Sequence, residues 1–117
     1  MTKEKYLEFC SGIAGACCDM PFNDDFETTA LRHIDTRKWF GLLMKLDGKY
    51  IVNLKLSPEE VLFYQSVYKG ACKAYHMNKT HWITIYLDSD VPDDEIENLT
   101  LISFGMTAKK AKNRPKM

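Results

Sequence analysis

Read for the spacing of its apolar positions, the chain divides into seven predicted elements. Tyr6, Leu7, Phe9, Cys10 and Ile13 recur at three- and four-residue intervals, which puts them on one face of a helix. Thr2 stands where an N-cap is wanted, and Gly12 and Gly15 end the run. Residues 16–27 lose this period. Asp19, Asp24, Asp25 and Glu27 gather around Pro21-Phe22, which is loop chemistry with Phe22 expected to anchor in the core. Residues 28–34 and 38–46 read as strands joined by Asp35-Thr36-Arg37, and residues 50–56 as a third. Asp47-Gly48 between the last two is a strong two-residue hairpin signal.

If Asp47 and Gly48 are the two loop residues, the register follows. Tyr50 then opposes Lys45, Val52 opposes Leu43, Leu54 opposes Gly41 and Leu56 opposes Trp39, on the face expected to meet the helices. The other face carries Phe40, Leu42, Met44 and Ile51 with Asn53 and Lys55, and is too apolar to be left in water. It is expected to be covered by residues 19–26, by a partner, or by a second copy of the chain.

Ser57-Pro58-Glu59-Glu60 opens a second helix with a cap, a proline at the first helical position and a capping box. Val61, Leu62, Gln65 and Tyr68 form its expected inner face, and Gly70 ends it. Ile83-Thr84-Ile85-Tyr86-Leu87 reads as a fourth strand. Val91-Pro92-Asp93-Asp94-Glu95 starts a last helix, whose stripe is Ile96, Leu99, Ile102 or Ser103, and Met106. The order α-β-β-β-α-β-α gives an α+β fold, a mainly antiparallel sheet with helices packed on one face.

Charge changes this picture in one respect. The 117 residues have no net charge, yet residues 1–108 hold sixteen acids against eleven bases. The balance is restored by Lys109, Lys110, Lys112, Arg114 and Lys116. We therefore divide the chain into one domain, 1–108, and a basic tail, 109–117, expected to be mobile. An acidic body repels polyanions unless its cations share one face. No apolar run approaches the ~20 residues of a membrane span, and Met1-Thr2-Lys3-Glu4-Lys5 leads into a helix rather than an apolar signal, so the expected location is cytoplasmic. Cys10, Cys17, Cys18 and Cys72 form no Cys-x-x-Cys pair and are expected as thiols.

The densest candidate chemistry lies in Tyr75-His76-Met77-Asn78-Lys79-Thr80-His81-Trp82, just before the fourth strand. His76 and His81 are five apart, a spacing that fits no helical metal pair, and no cofactor is implied. No nucleophile elbow, phosphate loop or dinucleotide fingerprint is present, which favours a binding protein over an enzyme. Arg32, Arg37, Lys38, Lys55, Lys73 and Lys79 are candidate phosphate contacts, and Trp39, Tyr75 and Trp82 are candidate stacking surfaces. Asn53, Asn78, His76 and His81 have the donors and acceptors to read base edges.

Several runs together carry a family resemblance: Val52-Asn53-Leu54-Lys55, the Tyr75–Trp82 stretch, Leu87-Asp88, Val91-Pro92-Asp93-Asp94-Glu95 and Ile102-Ser103-Phe104. In that order, over about residues 6–106, the chain resembles the MmcQ/YjbR family. The resemblance implies a frataxin-like α+β fold, without implying iron binding. It also implies DNA binding through a proposed double wing of strands and loops, with Asn53, Lys55, Tyr75, His76, Asn78, Lys79, His81 and Trp82 as the matching positions. With Arg32 added, these are the candidate ligand residues. The expectation is a small, non-catalytic protein that binds DNA weakly and with sequence tolerance, as a monomer or weak homodimer, and no membrane. Two alternatives stand beside it. One is a small-molecule or acid–base pocket lined by His76, Asn78, His81 and Asn53. The other is a protein-interaction module using the apolar outer sheet face. In either case Asn78 and His81 are expected to pin the loop and Lys79 to point outward.

Overall fold

The computed structural model describes residues 1–21 and 27–109. Its three helices are α1 (Lys3–Ser11), α2 (Pro58–Val67) and α3 (Asp93–Thr107). Six strands, β1 (Ala16–Asp19), β2 (Thr29–His33), β3 (Trp39–Leu46), β4 (Lys49–Lys55), β5 (Ala71–Lys73) and β6 (Trp82–Tyr86), form one antiparallel sheet in the order β1-β2-β3-β4-β6-β5. The sheet is therefore two edge strands wider than its apolar pattern suggested. β1 lies in what reads as loop, and β5 follows the end of α2. Both are short, lie largely half-buried at the sheet's margins, and need pair with only one neighbour, so neither carries a long alternating pattern. The expected anchor Phe22 lies outside the described residues.

The local signals act as the chemistry requires. Asp47 and Gly48 take φ of 50° and 81°, the left-handed pair of a tight hairpin, and Lys45 pairs with Tyr50, Leu43 with Val52 and Gly41 with Leu54. Ser57 accepts the Glu60 N–H while the Glu60 carboxylate accepts the Ser57 N–H, which closes the capping box. Thr2 caps α1 through the Lys5 N–H. After α2, the Asp90 carboxylate accepts the Lys69 and Gly70 N–H groups, each at 2.7 Å, and these donors hold its pKa below the usual carboxylate value.

One buried cluster joins the sheet's inner face (Leu31, Leu43, Val52, Leu54, Ile83, Ile85) to Tyr6 and Cys10 of α1, Val61 of α2 and Ile96 and Leu99 of α3. Burial pushes the Cys10 thiol up to about 12. α3 lies across β3 and β4. Its inner stripe includes Ser103, while Met106 is exposed; on α2, Val61 is buried but Leu62 is exposed.

A bulge corrects the expected facing of β3. Leu31 pairs with Gly41 but Arg32 pairs with Trp39, so Phe40 is the extra residue. Phe40 therefore leaves the outer face and packs inward, its ring 5.0 Å from Phe104 and 5.7 Å from His33. By the same shift Trp39 moves to the outer face beside Arg32. Ser103 repairs the ladder at this point. Its hydroxyl accepts the Lys55 N–H at 2.8 Å and donates to the Phe40 carbonyl at 2.5 Å, standing between two strands where a direct bond would run. The rest of the outer face is not open: Leu42, Ile51, Asn53 and Thr84 are all buried within the single chain. An interaction module resting on an open apolar face there is not what the fold provides.

Candidate functional site

The stretch from Ala74 to His81 connects β5 to β6 and is held at two points. At the first, Tyr75 N–H donates to Thr84 Oγ1 at 2.9 Å, Thr84 Oγ1 donates to Asn53 Oδ1 at 2.5 Å, and Asn53 Nδ2 returns to the Tyr75 carbonyl at 3.1 Å. Asn53 is 0 % exposed and Thr84 2 % exposed, so the three bonds form a closed, buried ring. At the second, Asn78 Oδ1 accepts the N–H groups of Thr80 and His81, at 2.8 and 3.1 Å, and its carbonyl accepts the Trp82 N–H. The His81 carbonyl takes the Leu56 N–H at 2.9 Å.

These bonds divide the sequence candidates. Asn53 and Asn78 hold the loop, and Asn53 reaches no surface. Asn78 pins as expected. For His81 the expectation is corrected, because the pin is its backbone carbonyl and the imidazole is exposed. Lys79 is exposed. His76 is exposed, holds φ of 58°, and tilts its ring against Tyr75 with centroids 4.0 Å apart. The four residues of the expected pocket therefore share no cleft: three lie on an exposed loop and the fourth is sealed beneath it.

The loop delivers Trp82 to a groove of about 680 Å³ at one end of the sheet. There β3 begins with Lys38 and Trp39, β4 ends with Lys55, β6 begins with Trp82, and α3 ends with Met106, Thr107, Ala108 and Lys109. Lys55 and Trp82 are register partners, which places an ammonium beside an indole on one face. Both tryptophans are half-buried, as is the Lys55 stem. Among the described residues, the lining holds three lysines and no carboxylate.

Beside it two arginines share one acid. Arg32 Nε lies 3.1 Å from both oxygens of Asp19, and Arg37 Nη2 lies 3.1 Å from the same carboxylate. Arg32 Nη1 donates to the Arg37 carbonyl at 3.0 Å, and Arg37 Nη1 to Cys17 Sγ at 3.1 Å. Two guanidiniums on one carboxylate leave a net positive charge. The Arg32 guanidinium lies 5.6 Å from the Trp39 ring centroid, fixing the indole at the groove's wall. Arg37 sits at φ 64°, a left-handed conformation that this clasp holds.

A second hollow of about 430 Å³ shares Ala108 and Lys109 with the first and is lined by His33, Asp35, Phe104 and Gly15. His33 is buried, stacked on Phe104 at 4.2 Å, with Nε2 2.8 Å from Thr107 Oγ1. Thr107 spends its own proton on the Ser103 carbonyl, so His33 Nε2 is the donor. Burial lowers the His33 pKa, against the attraction of Asp35.

Chemically, this end of the molecule offers ammoniums for phosphate and indole faces for flat rings. Among the described residues no group of three His, Cys, Asp or Glu side chains is placed to hold a metal ion. Of the sequence candidates, the fold brings Lys55, Trp82 and Arg32 together, with Lys38 and Trp39, and leaves Tyr75, His76, Lys79 and His81 on the adjoining loop. The contribution of Thr107 and Met106 is invisible in sequence, because it depends on where α3 ends over the bulge.

A family model described as YjbR matches residues 12–106. The uncharacterised protein YyaQ of Bacillus subtilis is 33 % identical over 120 residues, spanning 92 % of this chain and 98 % of its own. The uncharacterised protein YjbR of Escherichia coli K12 is 29 % identical over 104 residues, spanning 89 % and 85 %. A crystal structure from Pseudomonas syringae matches with a TM-score of 0.86 at 29 % identity, covering 92 % of this chain and 100 % of the other. A Deinococcus radiodurans protein with a DUF419 domain matches at 0.79 and 25 % identity, covering 93 % and 80 %.

Proposed function

The chain belongs to the YjbR family, and from that premise we propose that it is a small DNA-binding protein whose contact surface is the groove between Trp39, Lys55 and Trp82. The observation that carries this reading is the lining itself: among the described residues, three lysines, two indoles and no acid, on a chain whose residues 1–108 hold an excess of acids. Cations gathered on one face escape the repulsion that the whole-body charge imposes. Lys109 stands at the groove's rim, and the sequence that follows it carries four further basic residues, Lys110, Lys112, Arg114 and Lys116. No helix among the described residues is long and apolar enough to cross a membrane.

Binding of this kind is weak and sequence-tolerant, because the lysines meet phosphate rather than base edges. Three or four phosphate contacts give a log–log salt slope of about −2 to −3.6, a loss of roughly 20- to 150-fold between 50 and 200 mM salt. Fluorescence anisotropy of a labelled mixed-sequence oligonucleotide tests this. Lys55→Gln should weaken binding and lower the slope by about one, and removal of residues 110–117 should lower it further. Binding that ignores salt, or is absent at 50 mM, would refute the reading.

A further inference from the structure

We infer that the groove takes unpaired nucleotides, with bases laid on Trp82 and Trp39 and phosphates on Lys38, Lys55 and Lys109, and that it discriminates against duplex. The inference rests on the DNA-binding reading above and specifies its ligand. Three observations carry it.

The first is the form of the site. It is a concavity at the end of three adjacent strands, β3, β4 and β6, walled by half-buried indoles and floored by Lys55. Neighbouring strands lie about 4.8 Å apart, so the indoles begin roughly 10 Å apart with a lysine between them. Among the described residues neither indole makes a ring contact with another aromatic, and both line the groove, where a further ring can meet them; the Arg32 guanidinium already lies over Trp39. Bases in a duplex present edges in the grooves and keep their faces stacked on each other. Only an unpaired base has a face to offer an indole.

The second is the reach of the charge. A duplex footprint on protein covers about 1,000 Å² or more. A single strand lying in the groove meets three lysines and, among the described lining residues, no carboxylate, whereas the wider footprint of a duplex also takes in Asp19 of the neighbouring clasp and Asp35 of the adjoining hollow.

The third is rigidity. The Arg32–Asp19–Arg37 clasp holds Trp39 by its guanidinium face, and the Asn78 turn bonds the Trp82 backbone. Aromatic platforms set in place before binding lose little entropy when a base lands.

Both tryptophans of the chain line this groove, so indole fluorescence, excited at wavelengths where the six tyrosines do not absorb, reports on it. The test titrates the full chain with a twelve-nucleotide oligo-dT, the matching oligo-U, and a twelve-base-pair duplex, at one fixed low salt, reading fluorescence and the anisotropy of labelled strands. Oligo-dT or oligo-U should quench the indoles and bind at least tenfold tighter than duplex; the ratio of the two single strands assigns deoxy or ribo preference. Trp82→Leu should weaken single-strand binding by roughly 5- to 100-fold, and Trp82→Phe, which keeps an aromatic face, by much less. Circular dichroism melts of both variants establish that each is folded, and Phe63→Ser on α2 is a control that should bind as the parent does. Duplex binding as tight as single strand, or single-strand binding untouched by Trp82→Leu and Trp39→Leu alike, would overturn the inference and leave the DNA-binding reading standing. Failure of every nucleic acid to bind would overturn both.

Discussion

Replacing Asn53 by alanine isolates the bond ring that holds the signature loop to the sheet. The substitution removes one donor and one acceptor. It strands the Tyr75 carbonyl, which loses the amide at 3.1 Å, and the Thr84 hydroxyl proton, which loses the acceptor at 2.5 Å. Thr84 still accepts the Tyr75 N–H. Each buried polar group left without a partner costs about 1–3 kcal/mol, so two give about 2–6 kcal/mol, a large share of the ~5–15 kcal/mol that holds a domain together. At roughly 4 °C per kcal/mol for a chain of this size, Asn53→Ala should melt about 8–24 °C below the parent. Urea unfolding followed by circular dichroism reads the change as a lower midpoint with an unchanged slope. Thr84→Val disrupts the same ring, so Asn53→Ala with Thr84→Val should destabilise by clearly less than the sum of the two. A single variant within about 0.5 kcal/mol of the parent, the scatter of an ordinary surface change, or a fully additive pair, would refute the ring as the loop's anchor.

Three further outcomes concern other parts of the fold. Asn78→Ala removes the acceptor of two exposed backbone N–H groups and should cost about 1 kcal/mol, as a lost cap does, while His81→Ala and Lys79→Ala melt with the parent; equal losses for Asn78 and His81 would restore the imidazole as a pin. Gly70→Ala puts a methyl 2.1 Å from Ser89 Oγ and 2.5 Å from Ser89 Cβ, an overpacking expected to cost about 1–3 kcal/mol and to be largely relieved by adding Ser89→Gly, as paired denaturation curves would reveal. His33 has a folded pKa below its unfolded 6.5, so the unfolded chain binds the extra proton: stability should be complete above that unfolded value and fall as pH drops from there toward the folded pKa. His33→Gln, which retains a donor for Thr107, should flatten this acid limb in denaturation curves taken across that range, and an unchanged limb would assign it to other groups.

Much of the fold was legible because local chemistry and tertiary packing agree. Asp47-Gly48 demanded a left-handed pair and so set the β3–β4 register; Ser57-Pro58-Glu59-Glu60 could hardly open anything but a helix. What escaped was non-local. β1 is formed by Ala16-Cys17-Cys18-Asp19, which carries no alternation and becomes a strand because β2 offers it an edge. The bulge at Phe40 inverts the facing of Phe40 and Trp39, and nothing in Lys38-Trp39-Phe40-Gly41 announces it. Its compensation, the Ser103 hydroxyl between Lys55 and Phe40, comes from a helix residue 63 positions after Phe40 and 48 after Lys55. The site followed the same division. Residue types picked out Lys55, Trp82 and Arg32, but the capacity of an amide to read a base edge also drew in Asn53 and Asn78, whose side chains are taken up in holding the loop. That Trp39 and Trp82 would share one groove depended on the bulge and on where α3 stops.

The central claim is that the Trp39–Lys55–Trp82 end of the sheet binds nucleic acid, and chemical-shift mapping tests it most directly. With the ¹⁵N-labelled full chain titrated with short single-stranded DNA at low salt, the largest shifts should fall on both indole N–H groups and on the amides of Lys38, Lys55, Thr107 and Lys109, fading as salt is added. Shifts centred instead on the outward face of α2, around Leu62 and Phe63, or confined to His76 and Lys79 while both indoles stay still, would contradict it.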